Sequence, residues 1–72
     1  MQKYCFKVLN LAEADGRLEV QFEFLAGIYW LEPPQPEFAV LRARLLQSLH
    51  TGEEVAFEVA GTQIVAVEFP AG

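Results

Sequence analysis

At 72 residues, the chain has length for a single domain, residues 1–72. One cysteine and one histidine exclude an internal disulfide and a Cys/His metal cluster. A net charge of −5, from ten acidic against five basic residues, sets long-range repulsion against DNA and RNA.

The first element is a strand from Lys3 to Leu11, in which Tyr4, Phe6 and Val8 alternate with Lys3, Cys5, Lys7 and Leu9. Asp15-Gly16 tolerates positive φ and marks a tight reversal. Leu18, Val20, Phe22 and Phe24 then alternate with Arg17, Glu19, Gln21 and Glu23, which predicts a strand with one apolar and one charged face. Gly27 interrupts the run and predicts a bulge or sharp bend. Ile28 to Leu31 is β-branched and aromatic and reads as a short third strand. The segment Pro33-Pro34-Gln35-Pro36 ends it, because proline donates no ladder hydrogen bond.

Phe38, Leu41, Leu45 and Leu49 recur at helical spacing, so a helix is predicted over Pro36–His50, with Gly52 as its stop. Val55, Phe57 and Val59 alternate in a fourth strand. Gly61-Thr62 turns the chain into a fifth, where Val65, Val67 and Phe69 alternate with Ile64, Ala66 and Glu68. Pro70-Ala71-Gly72 is read as the terminator.

The resulting order is β-β-β-α-β-β, a mainly-β (α+β) class. It resembles a small five-stranded OB-type, partly open barrel, with the helix between the third and fourth strands. The alternative is a curved antiparallel sheet with one helix packed on a face. The barrel is preferred because it hides the edges that a flat sheet leaves bare. Phe6, Val8, Val20, Phe22, Phe38, Leu41, Leu45, Val55, Phe57 and Val67 are assigned to its core.

Candidate chemistry is sparse. Cys5 alternates away from the core face and has only His50 as a base, so it reads as a small strand residue and not as a nucleophile. His50 at the helix C-terminus complements the helix dipole. Ser48 lies inside the helix without a nucleophile elbow. Glu19, Glu23, Glu54 and Glu58 alternate with apolar residues and face water. No phosphate-binding glycine loop is present. The P-x-x-P spacing is flanked by Glu32 and Glu37, not by a basic residue, and serves as a stiff connector. The sequence implies no catalytic residue, no cofactor and no metal.

Two features carry a functional expectation. Tyr29 and Trp30 are adjacent on a strand, so one of them leaves the core and offers a stacking surface for a sugar or an oligonucleotide. Leu9, Leu11, Ile28, Val40, Leu46 and Ile64 fall off the core register. With hydrophobic residues at 53% of the chain, they point to an apolar patch that forms an oligomer interface. The expected function is therefore a non-catalytic interaction module that forms a homo-oligomer and binds a protein partner. The alternatives are an OB-like ligand binder at Tyr29 or Trp30, and an enzyme whose site forms only between subunits. One free thiol fits a reducing cytoplasm. No secretory leader is evident at the N-terminus, and no run approaches the roughly 18 apolar residues of a membrane span.

Overall fold

The structure is a computed structural model that describes residues 1–70. Ala71 and Gly72, part of the expected terminator, lie outside the described residues. The elements are β1 (Gln2–Phe6), β2 (Val8–Ala14), β3 (Arg17–Phe22), β4 (Tyr29–Leu31), α1 (Phe38–Thr51), β5 (Val55–Ala60) and β6 (Gln63–Glu68). They make one six-stranded mixed sheet in the order β1-β5-β6-β4-β3-β2.

The two ends of that order, β1 and β2, are consecutive in the chain and separated only by Lys7. One half of this segment pairs with β5 and the other half with β3. The sheet therefore curls back on its own first strand and becomes a partly open barrel. All strand pairs are antiparallel except β4 and β6, which meet at a parallel bridge between Trp30 and Gln63. The Trp30 N–H donates to the Thr62 carbonyl at 2.8 Å and closes this short seam. The OB-type order expected from the sequence is thus the one observed. The predicted first strand is split in two at Lys7, which gives six strands in place of five. The Lys7 carbonyl at the bend is not left bare: it accepts the Glu23 N–H at 2.9 Å.

Two β-bulges govern which side chains enter the core. Val8 pairs with Phe22 and Asn10 with Gln21, so Leu9 is the extra residue and is pushed outward, 54% exposed. Glu58 pairs with Ala66 and Val59 with Ile64, so Val65 is extra. Each bulge reverses the alternation beyond it. Val8 and Leu11 consequently both face inward, as do Ile64 and Val67. The expectation that Ile64 is off the core register is corrected: it is fully buried, at 0% exposure. The carbonyl of the extra residue Val65 accepts from Gln35 Nε2 at 3.2 Å.

The interior centres on the Phe22 and Phe57 rings, stacked 3.7 Å apart with 8° between their planes. Val8, Leu18, Val20, Leu31, Val55, Val59, Ile64 and Val67 surround them from the sheet. Leu41 and Leu45 cover them from α1, which packs against β2, β6 and β5. Phe6 and Phe38, expected in the core, are only half-buried and pack against its margin.

The helix begins at Phe38, two residues later than predicted, because successive turns bond Gln35 N–H to Glu32 O and Phe38 N–H to Gln35 O. It ends at Gly52, whose φ of 78° lets its N–H reach the Ser48 carbonyl at 2.9 Å. Strand β3 stops at Phe22, not at Phe24. There the chain turns, Leu25 donates to the Phe22 carbonyl at 3.4 Å, and Leu25 takes the position against the core that alternation had given to Phe24.

Candidate functional site

The residues that carry chemistry do not converge. Cys5 is exposed on the outer face of β1, with Glu54 Oε1 at 3.9 Å from its sulfur. His50 is exposed in the last turn of α1. Ser48 is fully buried, and its hydroxyl is engaged twice over, accepting from Val8 N–H and donating to the Glu53 carbonyl. Among the described residues no three His, Cys, Asp or Glu side chains are grouped to hold an ion. Among them, too, no helix is long and apolar enough to cross a membrane.

Tyr29 and Trp30 separate as adjacent strand residues must. Tyr29 turns inward, with its ring edge-on to Phe22 at 5.9 Å and to Phe57 at 6.5 Å. Burial pushes its hydroxyl above the ordinary tyrosine value, and the nearby Tyr4 phenol adds to that shift. Trp30 points to the outer face, opposite Glu19 on β3 and Gln63 on β6. Its ring is already occupied. The Arg17 guanidinium lies 3.8 Å from the ring centroid, and the same group reaches Glu32 Oε1 at 3.8 Å. A ligand that stacks on Trp30 must first displace Arg17, in a setting where Glu19 and Glu32 repel anions. Both expected stacking residues are half-buried, Tyr29 against the core and Trp30 on the outer face beneath Arg17.

Among the described residues, three of the shallow surface clefts bear on the search for a site. One, of about 190 Å³, has Ala56 and Ala66 between Lys3, Glu58 and Glu68 on the outer face of β1, β5 and β6. A second, of about 230 Å³, lies between α1 and β2, lined by Leu11, Leu18, Leu46 and Leu49 beside Arg42 and Glu13. The third, of about 210 Å³, adjoins it at Leu18 and Glu13 and extends to Pro33 and Phe38. None holds a nucleophile and a base within reach of each other.

The six residues expected at an oligomer interface do not form one patch. Ile64 is core. Leu11 is half-buried against the core, and Leu46 is half-buried in the cleft beside α1. Ile28 is half-buried, while Leu9 and Val40 are exposed at 54% and 48% on different elements. Among the described residues, the most exposed large hydrophobic side chain after Met1 is instead that of Phe24, a residue 79% exposed. Period-2 reading hid it, because Phe24 continues the apolar face of β3 on paper. The nearby Gly27 was the signal that the strand had to break before it.

No protein-family model and no curated protein matches the sequence. Among solved structures, the chain is similar to a mutant of pro- protein-glutaminase, with a TM-score of 0.84 and 19% identity over 93% of this chain. It is likewise similar to pro- protein-glutaminase itself, with a TM-score of 0.83 and 20% identity over 93% of this chain. In both cases the match spans 24% of the longer chain. The likeness is one of fold.

These findings correct the expected function. The fold recurs as about a quarter of a longer chain, and the likeness gives no sign of self-association. Among the described residues, Ile64 is buried in the core and Leu11, Ile28 and Leu46 are half-buried, so the six do not share one exposed face. The self-associating interaction module falls on these grounds.

Proposed function

We propose that this chain is a non-catalytic domain of the pro-segment kind, which lies against an amide-hydrolysing enzyme and keeps it in a precursor state. The observation that carries this reading is the fold match: nearly the whole chain superposes on one quarter of a proenzyme at a TM-score of 0.84. The chain's own chemistry favours the accessory share of such a protein over the catalytic share. Amide hydrolysis needs a nucleophile and a base within hydrogen-bonding reach. Here Cys5 faces a carboxylate, Ser48 is spent on the backbone, and His50 stands at the end of α1. The acidic surface suits a partner with a basic rim. Its compartment is proposed to be a reducing one, from the single exposed thiol.

The test uses mature protein-glutaminase freed of its pro-segment and a protein substrate, with ammonia release as the readout. Saturable inhibition by the 72-residue chain supports the reading. Ammonia release by the chain alone, lost in Cys5→Ala, overturns it. So does an enzyme that works at full rate with the chain in large molar excess.

A further inference from the structure

Phe24 is in a conformation that neither backbone preference nor burial selects. Its φ is +68°, in the left-handed region where a bulky side chain is an outlier and where Asn, Asp or Gly is the usual occupant. Its side chain is 79% exposed, so the core does not repay the strain. The inward position that follows β3 is filled by Leu25 instead.

The ring is nevertheless braced. Phe6 stands 5.6 Å away at 60°, Tyr4 stacks on Phe6 at 6.1 Å, and Tyr4 meets the buried Phe57 at 5.6 Å. An aromatic series thus runs from the stacked core pair to one ring held out in water. The backbone beside it is fixed by the Glu23 N–H bond to the Lys7 carbonyl, and the side chains of the same two residues form an ion pair at 3.4 Å. In a chain of net charge −5, the surface next to Phe24 is therefore self-neutralised. Covering the ring desolvates no unpaired charge there.

We propose that Phe24 is the docking anchor of this domain, a rigid aromatic knob that inserts into an apolar pocket on the enzyme it accompanies. The occupant follows from where the fold is found: the rest of a proenzyme chain is the polypeptide joined to it. A pre-positioned aromatic ring with its strain already present in the free domain loses little freedom on binding, which is what a hot-spot residue requires. This inference rests on the pro-segment reading above and adds the surface through which it acts.

The experiment compares the wild-type chain, Phe24→Asn and Phe24→Tyr. Each is measured for urea stability and, by calorimetry, for binding to mature protein-glutaminase freed of its pro-segment. Asn accepts the left-handed conformation, so Phe24→Asn is expected to be at least as stable as the wild type while binding weakens by roughly thirtyfold or more. Phe24→Tyr, which keeps the ring, is expected to retain affinity. A wild type that binds together with an equally tight Phe24→Asn overturns the anchor and leaves the pro-segment reading standing. A Phe24→Asn that unfolds at lower urea than the wild type overturns it as well, since the ring is then structural. A wild type that fails to bind overturns both.

Discussion

Ser48 Oγ accepts the Val8 backbone N–H at 3.1 Å, across forty residues of chain, and ties the last turn of α1 to the point where the first strand changes partners. Strand β1 has just left β5 at Phe6, and β2 has just begun to pair with β3, so the backbone at Val8 sits at the corner of the barrel. The same hydroxyl donates to the Glu53 carbonyl at 2.6 Å and fixes the loop that leads into β5. One buried oxygen thus joins three segments. Ser48→Ala leaves a buried N–H and a carbonyl without their partner and is expected to lower stability by about 1–3 kcal/mol. Urea denaturation followed by far-ultraviolet circular dichroism measures it, and an unchanged midpoint contradicts this account of the corner.

The bulges make a second prediction, in which two aliphatics of similar size behave in opposite ways. Ile64 has no exposed surface, and Ile64→Ala is expected to cost about 2–5 kcal/mol. Leu9 is the residue extruded by the other bulge, and Leu9→Ala is expected to stay within about 0.5 kcal/mol of the wild type. The pair of unfolding midpoints checks the register directly. If Leu9→Ala is the more damaging change, the bulge at residues 8–10 is placed wrongly.

This contrast also explains what the sequence reveals and what it conceals. Strict alternation identified Val20, Phe22, Val55 and Phe57 as core, because the extra residues of the two bulges, Leu9 and Val65, lie on β2 and β6 and leave the alternation of β3 and β5 unbroken. It failed at Ile64, since a bulge is a property of two paired strands and leaves no mark in one of them. The break at Lys7 is equally silent: both halves keep strand character, and only the change of partner from β5 to β3 separates them. Phe24 escaped for a third reason. Its hydrophobicity fitted the face of β3, while the turn that expels it is set by the conformations of Phe24 itself and of Gly27, at φ 68° and 93°. The element order survived these local errors because it depends on the kind of each segment, not on its register.

The outer face around Trp30 yields a spectroscopic prediction. Arg17 covers the ring at 3.8 Å and is held there by Glu32. Arg17→Ala uncovers the indole to water, so the emission of the sole tryptophan is expected to shift to longer wavelength and become more open to iodide quenching. Loss of the cation–π contact costs about 0.5–1 kcal/mol at an exposed site. An emission spectrum identical to that of the wild type shows that Arg17 does not screen the ring.

Tyr29 supplies the pH dependence. Burial raises its hydroxyl above the ordinary value of 10.0, with Tyr4 acting in the same direction, so the folded state holds the phenolic proton more tightly than the unfolded chain does. A group whose pKa is raised on folding stabilises the fold fully below its unfolded value and loses that contribution as pH climbs through the folded one. Stability is therefore expected to be insensitive to Tyr29 at neutral pH and to fall above about pH 10. Tyr29→Phe removes the ionisable group while keeping the edge contacts to Phe22 and Phe57, so its alkaline decline is expected to be shallower than that of the wild type. Urea midpoints across alkaline pH, paired with the phenolate absorbance of the folded chain, make the comparison. A Tyr29→Phe curve as steep as the wild type's assigns the alkaline loss to other groups and refutes the coupling between this hydroxyl and the stacked aromatic core.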